Sequence, residues 1–380
     1  MSAQVAAVDL GATSGRVMLA DISEQHIELE QVARFANEPV HLWNGRRTAM
    51  HWDVPGLFRH ACAGLAEAAR HSEKLVAIAV DSWAVDYALL RDGALLGLPH
   101  HYRDTRCDDG VTAVHRRIGQ DELYRRNGLQ FLPFTTVYQL AAEERLPVAD
   151  RALLIPDLIG YWLTGREVTE RTNASTTGLL GTDGRWDDEL CALLQIPAGL
   201  FPPVVEPGAP LGPVLPALAE SVGDALVSTT ASHDTAAAVV AVPMDSAAAA
   251  YISCGTWALV GVELDGPVLS EAGRRANFTN EVGADGRIRY LHNVMGLWLL
   301  SETTRQFERD GFRADLSELL AQAAEVPAGF DVFDTADPRF APPGDMPARI
   351  RSWYDERGPG GAWLGDGAQV LDGQGPLQPA

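Results

Sequence analysis

Lysine is nearly absent from this chain. Lys74 is the single lysine in 380 residues, and the other 29 basic residues are arginines. A Walker-type phosphate loop requires Gly-Lys-Ser/Thr and a protein kinase requires a strand lysine, so neither can be built here. A Schiff-base enzyme would have to use Lys74, which precedes an apolar strand and has no motif around it. Cysteine is also scarce. Cys62, Cys107, Cys191 and Cys254 lie far apart with no Cys-x-x-Cys pair, which argues against a zinc site and against a secreted disulfide framework.

Positive charge is the third shortage. Against 51 acidic residues there are 30 basic ones, a net charge of −21, so the overall field repels nucleic acid and anionic membranes. Neither is an expected partner, and a neutral sugar suits such a surface better than a sugar phosphate. No basic stretch followed by an apolar core opens the chain, so no signal peptide is read. The Ala-rich stretch 236–252 is interrupted by Pro243, Asp245 and Ser246 and is too short to span a bilayer. A reduced cytoplasm is the expected compartment.

What is present is globular: 46% apolar and 21% charged residues, in a chain long enough for two domains. The pattern predicts a three-stranded meander over 4–10, 16–22 and 27–36. Asp53 caps a helix to about 71 with Leu57, Ala61, Leu65 and Ala68 on one face. A buried strand over 75–80 and a hairpin over 87–96 follow. Helices are expected near 121–127, 135–145, 156–163, 187–195, 235–241, 296–309 and 315–325. Further strands are expected at 225–229, 248–253, 257–263 and 287–292. After about 350 the periodicity fails, and the 26 residues from Asp355 hold seven glycines and three prolines.

Two glycine turns carry most of the chemistry. Asp9-Leu10-Gly11-Ala12-Thr13-Ser14-Gly15-Arg16 and Ser253-Cys254-Gly255-Thr256-Trp257 each sit between two β-rich runs. Glycine lets an anion approach the backbone, and successive N–H groups in a turn form an anion nest. Asp9, at the mouth of the first turn, is placed to share a Mg²⁺ ion with phosphates. In Ser232-His233-Asp234-Thr235, Asp234 opens a small-residue helix and is the candidate general base. His233 is a candidate sugar contact. Asp81-Ser82-Trp83-Ala84-Val85-Asp86 follows the buried strand, with Trp83 offering a face for a sugar ring and Asp86 offering acceptors for its hydroxyls. Asn293 enters the helix near 296 as a further polar residue. Each has a plain structural reading beside this one: Asp9 as a turn starter, Asp234 and Asn293 as helix caps, Trp83 as core.

Taken together with Gly128 to Phe134 and Asn293 to Leu300, these stretches resemble the FGGY carbohydrate kinases, in family order across roughly residues 5–345. Within the family the resemblance is to the branch acting on L-rhamnulose. It implies an α/β, duplicated ribonuclease-H-like fold of the actin and hexokinase type, with two domains and a central cleft. The implied N-terminal domain is 1–243 and the implied, incomplete C-terminal domain is 244–350, with a Gly/Pro-rich, disordered tail over 351–380. The implied reaction moves the γ-phosphoryl of ATP, with Mg²⁺, to the 1-hydroxyl of the sugar. By matching position, Ala12, Thr13, Ser14, Gly15, Arg16, Thr256 and Ser301 would serve ATP. Ala84, His233, Asp234, Thr235 and Asn293 would meet the sugar, with Asp234 as the base. Three departures stand out: Ala84 replaces a family glycine, Ser301 replaces a frequent glutamine, and the family's later glycine-rich adenine motif is missing. A sugar-binding remnant without catalysis, or a kinase for another ketose or polyol, are the alternatives.

Overall fold

The computed structural model describes residues 3–245, 249–313, 315–326 and 333–356. They sort into two compact units, Met1–Tyr251 with Gly261–His292, and Ile252–Val260 with Asn293–Ala380.

The first unit is built on a six-stranded mixed sheet. Strand Ala3–Leu10 buries Ala6, Val8 and Leu10, the alternation of a strand with one face in the core. It pairs antiparallel with Ser14–Ile22, which pairs antiparallel with Ile27–Ala36. On its other side it pairs in parallel with Leu75–Ser82, followed by Leu226–Ser228 and then Pro210–Pro213. The meander and the buried strand thus form as the patterning predicts. Edge strand Ile27–Ala36 leaves Ile27 and Leu29 exposed, and Glu28, Glu30 and Arg34 set charges along it, which discourages edge-to-edge pairing.

Helix Val54–His71 covers part of this sheet, packing on the second and third strands. Asp53 caps it by accepting from the Gly56 N–H, and Leu57, Ala61, Leu65 and Ala68 are its buried face, as expected. Helix Ile155–Thr164 packs on strand Leu75–Ser82. A second core in this unit gathers Leu89, Val137, Tyr138, Leu154 and Leu179.

Several elements lie outside the sequence expectation: the hairpin Pro39–Trp43 with Thr48–Trp52, helix Arg106–His115, strand Arg151–Leu154 and strand Thr279–Val282. The sequence expectation sets a sequential boundary at 243/244, and the grouping by contacts adds a later segment to the first unit. Residues Gly261–His292 group with the first unit, and their contacts explain it. Arg289 reaches His233, Asn280 bonds to Gly128, and the Val282 N–H bonds to Ser175.

In the second unit, helices Trp298–Arg309 and Met346–Asp355 enclose a core of Trp298, Leu299, Phe340, Met346, Ile350 and Trp353. The Trp298 indole donates to the Phe340 carbonyl at 3.0 Å. The tail expected from 351 therefore starts too early. Residues up to 355 complete a helix whose Ile350 and Trp353 are buried. The rest of that expectation, 357–380, lies outside the described residues.

Candidate active site

The parallel strands end side by side, and their ends carry acids. Asp9 and Asp81 are direct partners on neighbouring parallel strands, so their carboxylates leave the sheet on one face. Ser82 forms a parallel bridge to His233, and the Ser82 N–H donates to the Ser232 carbonyl at 2.9 Å. That brings Asp234 to the same edge, the carboxyl end of the strands, where ligands of open α/β sheets bind.

Asp234 is the first residue of helix Asp234–Val240, with His233 as the capping position. The Asp234 Oδ1 accepts from the Thr235 N–H at 2.6 Å and faces the Thr235 hydroxyl at 3.3 Å and His233 Nε2 at 3.4 Å. Burial, with Asp9 adding to it, pushes the Asp234 carboxyl up to about 7. Asp81 is pushed well above the usual carboxylate range by burial and by the charges of Asp9 and Asp234. Asp81 is thus a site residue that the sequence argument passed over.

The loop carrying Asp234 is held by Glu170, which is fully buried. Its carboxylate accepts from the Ser232 N–H at 2.9 Å, the Ser232 hydroxyl at 2.7 Å and the Thr172 hydroxyl at 2.6 Å. Thr172 accepts in turn from the His233 N–H at 3.2 Å. On the other side, Arg289 Nη2 lies 2.9 Å from His233 Nδ1 and 3.0 Å from Glu281 Oε2. Neither Glu170 nor Arg289 stands in a motif that marks it. Only the folded chain brings them to the site.

The first glycine turn is stapled by Asn37, whose amide donates to the Gly11 carbonyl at 2.8 Å and whose N–H donates to the Thr13 carbonyl at 3.1 Å. Ala12 and Ser14 are half-buried and Thr13 is exposed. Gly15 is buried, and a Cβ there would run into the Phe35 ring, so its glycine serves the sheet. Arg16 pairs with Asp9 at 2.8 Å across the hairpin. Among the described residues no group of three or more His, Cys, Asp or Glu side chains is arranged to hold a metal. Mg²⁺ commonly takes one or two carboxylates together with substrate phosphates, and Asp9 with Asp81 fits that donor set.

Asp86 departs from its expected role. Its Oδ2 accepts from the Trp52 indole at 2.5 Å, the Trp83 indole at 3.0 Å and the Tyr102 N–H at 3.2 Å, while its Oδ1 accepts from Gln139 at 2.7 Å. Those four donors take up the usual acceptor positions of a carboxylate, and Asp86 is buried among them. It anchors an aromatic stack in which Trp83 lies on Trp52 at 4.1 Å and Trp52 on His101 at 3.9 Å. Trp83 is buried at 5% exposure, closer to the core reading. Between them Ala84 is half-buried. Val85 has φ 67°, a left-handed conformation that a β-branched residue rarely takes. The Thr136 hydroxyl holds it by donating to the Val85 carbonyl at 2.6 Å.

In the second unit, the turn at Gly255 is tied to the start of helix Trp298–Arg309. The Leu297 N–H donates to the Gly255 carbonyl at 2.9 Å and the Trp298 N–H to the Thr256 carbonyl at 3.2 Å. Ser301 lies in that helix. Asn293 does not cap it, as the sequence suggested. It sits in strand Ile288–Met295, and Leu297 is the capping position.

The chain matches the model of the FGGY family of carbohydrate kinases, N-terminal domain, over residues 4–241, and the C-terminal domain model over 250–361. It belongs to the FGGY family of carbohydrate kinases. This FGGY kinase is 42% identical over 363 residues to a rhamnulokinase from Pectobacterium carotovorum, covering 93% of this chain and 71% of the relative. It is 39% identical over 357 residues to a rhamnulokinase from Enterococcus faecalis, covering 92% and 71%. Among solved structures it resembles ligand-bound xylulose kinase from Lactobacillus acidophilus, with TM-score 0.70 at 20% identity over 86% of this chain and 66% of that one. Plasmodium falciparum glycerol kinase with ADP gives TM-score 0.67 at 15% identity, covering 86% and 67%. The FGGY fold of the actin and hexokinase type, expected from the motifs, is thereby borne out. The chain spans about 71% of the length of the curated relatives it matches.

Proposed function

We propose that this FGGY kinase transfers the γ-phosphoryl of ATP to O1 of L-rhamnulose, with Asp234 as general base. The observation that carries the reading is the Asp234 carboxylate itself. It stands at the end of the parallel strands with Oδ1 held by Thr235 and with its proton affinity raised to about 7, near the operating range of a base. The sugar 1-hydroxyl gives its proton to Asp234 Oδ2. Its oxygen forms the new bond to the γ-phosphorus as the bond to the β-phosphate oxygen breaks and ADP leaves. Such a transfer needs little covalent chemistry from the protein and depends on positioning and charge neutralisation.

Ala12 to Arg16 would hold the phosphates through backbone N–H groups and the Arg16 guanidinium, once Arg16 turns from Asp9. Mg²⁺, held by Asp9 and Asp81, would neutralise charge on the transferring group. Thr256 and Ser301 would serve the nucleotide. His233, Thr235, Ala84 and Asn293 would border the sugar, with Trp83 and Asp86 as the wall behind it. The names of the relatives support L-rhamnulose, and soluble ATP and sugar are the partners this reading requires.

Calorimetry with L-rhamnulose and with ATP, separately, together with an ADP-release assay over a panel of sugars, tests this. Binding of both and turnover of L-rhamnulose are expected. Preference for xylulose or glycerol overturns the substrate, and sugar binding without nucleotide binding overturns the kinase assignment in favour of a binding remnant. A second experiment probes the nucleotide side. A Cβ on Gly296 would stand 2.7 Å from the Ala258 nitrogen, the Gly255 oxygen and the Trp257 carbonyl carbon, so Gly296→Ala must push the second turn away. The expected result is about tenfold weaker ATP binding with L-rhamnulose affinity unchanged.

A further inference from the structure

Buried charge beside the base has no role in the reaction as proposed so far. Arg289 is fully buried on strand Ile288–Met295, directly opposite Glu281 on the antiparallel strand Thr279–Val282. A cross-strand ion pair would be complete with those two residues. Yet one nitrogen of the guanidinium, Nη2, is shared: it lies 3.0 Å from Glu281 Oε2 and 2.9 Å from His233 Nδ1.

That nitrogen carries two hydrogens and accepts none. Each hydrogen therefore has one destination, the carboxylate oxygen and the imidazole Nδ1. For Nδ1 to accept, it must be unprotonated, which leaves the proton of a neutral imidazole on Nε2. Glu281 Oε2 is also 3.5 Å from Nδ1, but the Arg289 hydrogen occupies the nearer approach. Burial and the adjacent guanidinium both disfavour the imidazolium, in agreement with a neutral ring. The far side of the ring places Nε2 3.4 Å from Asp234 Oδ1.

We infer that Arg289, clamped by Glu281, locks His233 as the Nε2–H tautomer, so that the imidazole steadies Asp234 Oδ1 and leaves Oδ2 to receive the sugar proton. The inference rests on the reading of Asp234 as the base. Oδ1 already takes the Thr235 N–H and faces the Thr235 hydroxyl, and among the described residues Oδ2 makes no hydrogen bond. The His233 N–H adds a third donor on the Oδ1 side. At 3.4 Å it is long for a hydrogen bond, and such contacts tighten when substrate closes around them. The opposite tautomer would turn a nitrogen lone pair toward Oδ1 and swing the carboxylate away. Arg289 and Glu281 touch neither sugar nor phosphate in this scheme. They are positioning residues, acting through His233, much as an orienting acid fixes the tautomer of a catalytic histidine.

The test reads the tautomer directly. The full chain, labelled with ¹⁵N in its histidines, is examined by long-range ¹H–¹⁵N correlation at pH 7.5 without sugar or nucleotide, with His233→Gln assigning the signal. The parent is expected to show neutral Nε2–H at His233. The double variant Glu281→Gln/Arg289→Met removes both charges together, so no lone buried charge remains. It is expected to lose that signature and about 30-fold in kcat, with KM for L-rhamnulose within about threefold. Arg289→Lys, which keeps a donor, is expected to retain the Nε2–H form and to fall between parent and double variant in kcat. An Nδ1–H or imidazolium parent overturns the inference, as does a double variant with parental tautomer and parental kcat. If the double variant does not fold, the parental spectrum decides alone. The signal needs no turnover: Nε2–H in a chain that phosphorylates no sugar refutes the kinase reading and leaves the lock standing. L-rhamnulose turnover with Nδ1–H refutes the lock alone.

Discussion

Asp234→Asn is expected to lower kcat by about 10³-fold while leaving the KM for L-rhamnulose within about threefold. The amide keeps the shape of the carboxylate, and its oxygen still accepts from the Thr235 N–H, so the sugar site is unchanged. What disappears is the second oxygen's ability to take a proton. The parent's kcat/KM should fall on the acid side of about pH 7, where Asp234 becomes protonated, and the variant's residual rate should not follow that curve. Stability gives an independent check. Because the folded-state proton affinity lies above the ordinary carboxylate value, Asp234 favours the fold most when protonated. Its contribution is lost as the pH rises from about 4 through about 7 and then stays level. Asn carries no such loss, so the variant should have the higher Tm at pH 8 and little advantage at pH 4. A variant that turns over at near-parental rate removes Asp234 from the base role. A variant with no gain at pH 8 removes the idea that burial, with Asp9 beside it, disfavours the Asp234 carboxylate in the fold.

Much of this site was readable from residue order because its parts are local. The first hairpin, the end of strand Leu75–Ser82 and the Ser-His-Asp-Thr turn each occupy a few adjacent residues whose polar character breaks an apolar run, although Asp81 itself was given no role. Apolar runs and helix periods marked five strands of the six-stranded sheet, Pro210–Pro213 being the unmarked one, and helix Val54–His71, whose buried positions repeat at regular spacing. Helix Arg106–His115 escaped notice because its buried face is Arg106, Cys107, Gly110 and Val114, only two of them apolar, and that face packs on helix Thr136–Ala141. Strand Thr279–Val282 carries Asn280 and Glu281, both buried, so nothing in its composition announces a core strand.

Partners far apart in sequence were invisible for a different reason. Trp52, Trp83, Tyr102 and Gln139 come from four separate segments to saturate Asp86, and no spacing rule connects them. Asp86 could be marked as interesting from its motif, but whether its oxygens face a ligand or the protein depends on who else arrives. Arg289 and Glu281 pose the same problem, since an alternating polar strand usually means a solvent face. Here it means a charged pair buried against a histidine.

Glu170 is the residue on which the second large effect is expected. Two acids are buried together, for the Glu170 N–H donates to Asp157 at 3.2 Å. Burial and the neighbouring Glu170 push Asp157 well above the usual range, whereas Glu170, also raised by burial, is opposed by the hydrogen bonds of Thr172 and Ser232. Asp157 meets a single backbone N–H whereas Glu170 is surrounded by donors of Thr172, Asn173 and Ser232, so Glu170 is the better stabilised of the two as an anion. Its five donors are the Thr172 N–H at 2.9 Å, the Thr172 hydroxyl, the Asn173 N–H at 3.2 Å, and the Ser232 N–H and hydroxyl. Glu170→Gln would set an amide N–H₂ against at least one of these donors and remove the charge from the rest. The expected loss is about 3 kcal/mol in urea unfolding, with the transition midpoint shifted and its slope unchanged. Because Ser232 leads into His233 and Asp234, kcat should fall with the stability, and more steeply than sugar affinity. A variant that unfolds at the parental urea concentration would mean that these donors find water as readily as Glu170, and that the base is held in place by Arg289 and Thr235 without it.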